Sequence, residues 1–353
     1  MSSLKQILKR VAEQGETLHR NEAREVLAGI LASTPGEGDL EIASLLTAFA
    51  TRGETVEELA GFAEAMRAQS LPLPLTNEER ASLVDTCGTG GDGLGTFNIS
   101  TGAALAAVAA GAKVAKHGNR AVTSYCGSAD VLEAMGVPVA LSPEQAVACL
   151  RATGFMFLYA PALHPALKRV QLIRRALGFR TIFNLAGPLT NPAGAPAQVM
   201  GVYSAAKVPL VAEAMARLGV RHAFVVHGFD GLDELTLSEE TSIAEVRKLA
   251  EETNSVRLFR LTPEEVGLRR AAIVQLAGAQ TALENASVLD RIFDGEHGPK
   301  RDIVLLNAAA ALLVAGVAKD LKEGVARGAE AIDSGRAKQT VRDLREFARS
   351  LPS

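Results

Sequence analysis

The chain of 353 residues has no tryptophan, and only 4% of its residues are aromatic. Its core has to be filled by small aliphatic side chains, which suits helices packed tightly against a sheet. A basic excess is also missing. Lys and Arg number 37 against 40 Asp and Glu, a formal net charge of -3, and this speaks against a nucleic-acid partner. Cysteine is scarce. Cys87, Cys126 and Cys149 are odd in number, far apart and without zinc-ligand spacing, so they read as reduced thiols of a cytoplasmic protein. No apolar run reaches membrane-spanning length; the longest, 303–317, is short and is interrupted by Asn307. Residues 1–10 are amphipathic and polar, with no signal-peptide core. There is no internal repeat and no low-complexity tail.

What is present divides at Leu71-Pro72-Leu73-Pro74. Before it, apolar residues recur at helical spacing, as in Val56, Leu59, Phe62, Ala63 and Met66. Thr55 with Glu58 three positions on predicts a capping box at the start of that helix. The two prolines favour extended backbone and make a hinge. After it, short β-prone runs at 83–86, 113–116, 155–159, 181–184, 199–203 and 223–227 alternate with helical stretches. That rhythm predicts an α/β domain with a mostly parallel central sheet. A basic helical segment at 162–177 breaks the rhythm and fits either part by pattern. Residues 302–349 read as two or three packed helices.

Three loops carry the chemistry. Gly88-Thr89-Gly90-Gly91-Asp92-Gly93-Leu94-Gly95-Thr96 follows a predicted strand and leads to a helix start at Asn98-Ile99-Ser100-Thr101. The glycines let the backbone approach a ligand closely, and free N–H groups at a helix start suit an anion. The sequence is neither a P-loop nor a dinucleotide fingerprint, because the Lys-Ser/Thr ending and the glycine spacing are absent. One βα unit later, Lys116-His117-Gly118-Asn119-Arg120 should lie on the same rim, with a lysine for phosphate and hydroxyls following at Thr123, Ser124 and Ser128. Asp233-Glu234 follows the strand at 223–227, and adjacent carboxylates there can hold magnesium. Taken singly, each loop also reads as a solvated turn.

Together, Gly88-Thr89-Gly90-Gly91-Asp92, Asn98-Ile99-Ser100-Thr101, Lys116-His117-Gly118-Asn119-Arg120, 127–133, 184–192 and 230–234 make the chain similar to the anthranilate phosphoribosyltransferase family over nearly its whole length. The resemblance implies a small helical domain (1–71 with 162–180), through which a homodimer forms, and a larger α/β domain (75–161 with 181–353) of the nucleoside phosphorylase/phosphoribosyltransferase type. It implies transfer of a phosphoribosyl group from phosphoribosyl pyrophosphate to the amine of anthranilate, with Mg2+ as cofactor, in tryptophan biosynthesis. Neither nucleic acid nor membrane is an implied partner. By the same resemblance, Gly88, Gly91, Asp92, Thr96, Asn98, Thr101, Lys116 and Ser128 bind phosphoribosyl pyrophosphate, Ile99 and Ser100 belong to the substrate surface, and Ser100, Asp233 and Glu234 hold the metal. His117, Gly118, Asn119, Arg120 and Ser124 complete the substrate surface, Arg174 holds the anthranilate carboxylate, and Gly187 lines the aromatic substrate's path. Lys116 and Arg174 are the expected catalytic pair. The chain departs from the family at Leu163, where many members have a second histidine before His164, and at Thr123, Tyr125 and Cys126.

Two rivals share part of this pattern: a pyrimidine nucleoside phosphorylase of related fold, and a non-catalytic relative that binds nucleic acid. The intact 117–120 segment and the Asp233-Glu234 pair disfavour the first, and the net charge and the complete metal site disfavour the second.

Overall fold

The structure, a computed structural model, describes residues 3–121, 126–250 and 253–351. Four helices come first: Leu4–Gln14, Arg20–Ala32, Asp39–Arg52 and Val56–Ala68. The capping box expected at Thr55 forms. The Glu58 N–H donates to Thr55 Oγ1 at 3.2 Å, and the Thr55 N–H donates to Glu58 Oε2 at 2.9 Å. Glu58 is fully buried and also receives the Arg52 guanidinium at 2.5 Å, so the same carboxylate caps one helix and pins the end of another.

A seven-stranded sheet follows: β1 (Leu83–Gly88), β2 (Lys113–Gly118), β3 (Phe155–Tyr159), β4 (Ala197–Gly201), β5 (His222–Gly228), β6 (Thr241–Ala250) and β7 (Thr253–Leu261). Its order is β3-β2-β1-β4-β5-β6-β7. The first five strands are parallel, and β6 and β7 join antiparallel. The parallel strands are buried almost throughout, as expected when both faces are covered. Because β1, β2, β4 and β5 run parallel, Gly88, Gly118, Gly201 and Gly228 all end on one rim.

One face of the sheet carries helices Ile99–Ala109 and Pro299–Ala315, packed through small residues. A Cβ added to Gly102 would meet Leu289 at 2.8 Å and Val304 at 3.1 Å, and Ala103, Ala104, Ala106 and Ala107 are buried against Ala308, Ala309, Ala310 and Ala311. This is the small-residue packing that a core poor in aromatic rings requires. The other face shares a core with the N-terminal helices, running from Phe62 and Met66 through Phe183 to Met200 and Val225.

Three elements differ from the sequence expectation. Residues 181–184 are not a strand. Thr181 starts the helix Ile182–Ala186, with its N–H donating to Asn184 Oδ1 at 3.0 Å. The β-prone Ile182 and Phe183 are buried there, Phe183 edge-on to Phe62 at 5.8 Å, so tertiary packing overrides propensity. The antiparallel β6–β7 hairpin has no counterpart among the β-prone runs of the sequence. As a result Asp233 and Glu234 lie in a loop that leads to an antiparallel strand and not to a helix. The basic segment divides into Ala160–Leu163, a 3-10 turn Pro165–Leu167, and the helix Lys168–Leu177. That last helix packs on the N-terminal bundle: buried Arg169 donates to Ser33 Oγ at 3.0 Å and pairs with Asp39 at 2.7 Å.

Candidate active site

The glycine-rich loop leaves the end of β1 and enters helix Ile99–Ala109. Gly90, Gly91, Gly93 and Gly95 have φ between 63° and 77°, a region that β-carbon-bearing residues rarely occupy. Gly88 is needed for another reason. A Cβ there would lie 2.7 Å from Asp233 Oδ2, so glycine lets the Asp233 carboxylate rest against the end of β1 without shifting. Two backbone hydrogen bonds fasten the loops together. The Gly90 N–H donates to Asp233 Oδ2 at 2.7 Å, and the Ser100 N–H donates to Glu234 Oε1 at 3.1 Å. The carboxylate pair therefore sits over the helix N-terminus, where the unpaired N–H groups and the helix dipole favour negative charge.

Lys116 reaches the same place from β2. It is buried, and its ammonium donates to the Thr86 carbonyl and, at 3.2 Å, to Ser100 Oγ. Burial lowers its pKa, opposed chiefly by Asp85 and also by Glu234 and Asp233. The two acids of the loop move the other way. Burial raises Asp233, reinforced by the charge of Asp92, and raises Glu234, reinforced by Asp233. Asp92 thus crowds Asp233 and Glu234, and that pair faces one buried ammonium. Among the described residues, no three His, Cys, Asp or Glu side chains form a ready-made metal cage.

Other expected residues fall around this centre. Asn98 Nδ2 donates to the Cys126 carbonyl at 3.1 Å, while Asn98 Oδ1 and Thr101 Oγ1 are buried without a described partner. Ile99 is in the core. Thr96 forms an isolated antiparallel bridge with Ala277, and its carbonyl lies where a Cβ on Gly278 would meet it at 2.8 Å. Gly118 is required sterically, since a Cβ would lie 2.3 Å from Ser128 Oγ. Ser128 Oγ donates to the Asn119 carbonyl at 3.2 Å. Arg120 is engaged elsewhere, with ion pairs to Asp130 at 3.0 Å and Glu133 at 2.6 Å. Ser124, with Thr123 and Tyr125, lies outside the described residues.

On the other side of the sheet end, Arg174 is half-buried with its guanidinium 5.2 Å from the Phe183 ring centre. It forms no ion pair with any described residue, and burial lowers its pKa. Gly187 begins a 3-10 turn with open space where a Cβ would be. The rings of His117 and His164 lie 5.3 Å apart, tilted by 58°, and both residues are buried. Burial pushes the cysteine thiols up, Cys126 and Cys149 to about 11, so none is a ready nucleophile.

Sequence reasoning missed several supports. Asp85 is fully buried and accepts the His117 N–H at 3.0 Å; a carboxylate inside a buried strand was the available signal. Asp230 accepts from the Leu232 N–H at 3.1 Å and the Thr236 hydroxyl at 2.5 Å, which folds the acidic loop back on itself. Arg180, which reads in the sequence as one charge among many, touches the glycine loop directly.

A profile of the "Glycosyl transferase family, a/b domain" matches residues 80–338, and one of its "helical bundle domain" matches residues 5–70. The anthranilate phosphoribosyltransferase of Caulobacter vibrioides is 51% identical over 342 residues, which cover 97% of this chain and 96% of that protein. The chain belongs to the anthranilate phosphoribosyltransferase family. The member from Symbiobacterium thermophilum is 47% identical over 348 residues, covering 99% of this chain and 98% of that one. Among solved structures, anthranilate phosphoribosyltransferase from Thermus thermophilus superposes with a TM-score of 0.88 at 43% identity, covering 97% of this chain and 99% of that one. The Saccharomyces cerevisiae enzyme in complex with PRPP and Mg gives 0.85 at 29% identity, covering 99% and 98%. Membership of this family accounts for a helical bundle joined to an α/β domain with a mostly parallel sheet.

Proposed function

We propose that the glycine loop, Lys116 and the Asp233-Glu234 pair receive phosphoribosyl pyrophosphate, and that Arg174 receives the carboxylate of anthranilate. The products are N-(5-phosphoribosyl)anthranilate and pyrophosphate, the second step from chorismate to tryptophan. The observation that carries this reading is the pair of bonds from the Gly90 and Ser100 N–H groups to Asp233 and Glu234. They bring the glycine loop and two hard oxygen donors together on one rim, which supports a diphosphate-and-metal site there.

The residues fit magnesium. Burial raises both carboxylates, the charge of Asp92 adds to this at Asp233 and that of Asp233 at Glu234, and Lys116 offsets it only in part at Glu234; Mg2+ takes one or two carboxylates together with substrate phosphates in place of an all-protein cage. Asp233, Glu234 and the Ser100 hydroxyl would hold it, and when bound it would stabilise charge growing on the departing pyrophosphate. Lys116 adds a fixed positive charge beside Ser100, already oriented before reaction. The amine of anthranilate is neutral at pH 7, so no strong general base is required. Arg174, free of any described carboxylate, can grip the substrate carboxylate through two parallel N–H···O bonds. Holding both substrates in line can supply up to about 7–11 kcal/mol of the barrier reduction.

The helical half, 1–71 with 162–180, is proposed to mediate a homodimer. Leu40 and Leu172 support this, since they are 81% and 71% exposed on the helices Asp39–Arg52 and Lys168–Leu177. Sedimentation of the chain and of Leu40→Glu tests it: the substitution should shift a dimer to monomer. The proposed location is the cytoplasm. No described helix is long and apolar enough to cross a membrane.

The direct test is loss of anthranilate fluorescence on adding phosphoribosyl pyrophosphate and a magnesium salt. Fluorescence should fall with all three present and hold steady with a chelator. Steady fluorescence with every ingredient present overturns the reading.

A further inference from the structure

We propose that Arg180 is a positioning residue that holds the glycine-rich loop in its substrate-receiving shape. The proposal deepens the reading of that loop as the diphosphate site and rests on it. Arg180 is exposed and lies in the connector just after the helix Lys168–Leu177, beyond the left-handed turn at Gly178. It forms no ion pair with any described residue. Its guanidinium has two other contacts. It donates through Nη2 to the Gly91 carbonyl, and it lies over the Tyr203 ring, 4.3 Å from the centroid.

Tyr203 is itself tied to the same loop. Its N–H donates to Thr89 Oγ1 at 3.0 Å, and the Thr89 N–H donates to the Gly201 carbonyl at 2.9 Å. One cation therefore links three segments: the connector from the helical half, the glycine loop and the end of β4. The loop needs such a tie. Gly90, Gly91, Gly93 and Gly95 give the backbone unusual freedom, and a loop that must be ordered on binding weakens that binding. The planar guanidinium serves both contacts at once, hydrogen-bonding at its edge and stacking on its face, whereas an ammonium cannot do both.

The test compares the full-length chain with Arg180→Ala, Arg180→Lys and Tyr203→Leu. Amide hydrogen exchange across residues 88–98 should rise roughly tenfold in Arg180→Ala, with the sheet unchanged. The KM for phosphoribosyl pyrophosphate should rise roughly three- to tenfold, with kcat at saturation within about twofold and the KM for anthranilate unmoved. Arg180→Lys should fall between the two, and Tyr203→Leu should move both readouts in the same direction. Unchanged exchange in residues 88–98 overturns the proposal. So does faster exchange throughout the sheet, which marks a general structural role, or a fall in kcat with the loop unaltered, which marks direct contact with reacting atoms. Exchange does not depend on turnover. A faster loop in an enzyme that leaves anthranilate untouched would therefore sink the functional reading and leave the tie standing.

Discussion

The side-chain amide of Asn307 grips the backbone of Leu235 on both sides: its Oδ1 accepts the Leu235 N–H at 3.0 Å, and its Nδ2 donates to the Leu235 carbonyl at 3.0 Å. Leu235 immediately follows Glu234. The one polar residue that interrupts the longest apolar run thus anchors the acidic loop to the buried helix Pro299–Ala315. Asn307→Leu keeps the branching at Cγ and leaves two buried backbone groups without partners. It should lower stability by about 2–4 kcal/mol, read from urea unfolding, and raise the magnesium needed for half-maximal rate. An unchanged urea midpoint would count against the anchor.

Gly88→Ala should act on the metal more than on the fold. The added methyl would lie 2.7 Å from Asp233 Oδ2, so the carboxylate has to shift and its bond from Gly90 loosens. Magnesium titration of the rate should show a half-saturating concentration roughly tenfold higher, the scale typical of groups that orient a metal ligand. Thermal unfolding should change little.

Arg174→Ala should lower kcat/KM for anthranilate by roughly 10- to 100-fold, the size expected for charge-assisted hydrogen bonds to a carboxylate. Arg174→Lys should recover only part of this, because a single ammonium lacks the two-pronged geometry. The KM for phosphoribosyl pyrophosphate should stay near its starting value. Equal changes for both substrates would remove Arg174 from the aromatic acid's site.

The histidine pair sets an acid limit on stability. Burial pushes His117 down to about 3 and His164 down to about 4, and His117 Nε2 and both His164 ring nitrogens lack a described partner. A folded pKa below the unfolded value of 6.5 means that the unfolded chain binds the extra proton. The stabilisation is full above pH 6.5 and is lost as pH falls toward 3 to 4. From pH 7 to pH 5 the loss should be on the order of 2 kcal/mol for each ring. Urea midpoints of His164→Gln across this range should fall less steeply than those of the unaltered chain.

Much of this was legible because it is local. A Thr55-Glu58 box depends on four residues, and positive-φ glycines between a strand and a helix start depend on a dozen. The order of the loops along an α/β chain also fixes their rim, since parallel strands bring successive carboxyl ends together. Residues 181–184 misled because Ile182 and Phe183 suit a strand by propensity and are held in a helix by Phe62, more than a hundred positions earlier. Arg120 looked free to meet a phosphate. Asp130 and Glu133 take up its guanidinium only once the helix Ser128–Ala134 folds beside it.

By itself the sequence determined the class of fold, the family, and which loops carry glycine, lysine and paired acids, because those depend on residue type and spacing along the chain. Tertiary structure decided which atoms meet: Asp233 against Gly88 and Gly90, Lys116 beneath Ser100, Asn307 under Leu235, Arg180 on Gly91. Each of these contacts joins residues far apart in the chain, and each requires its distance to be right to within a few tenths of an ångström. Such distances are set by packing the whole core and not by any local pattern.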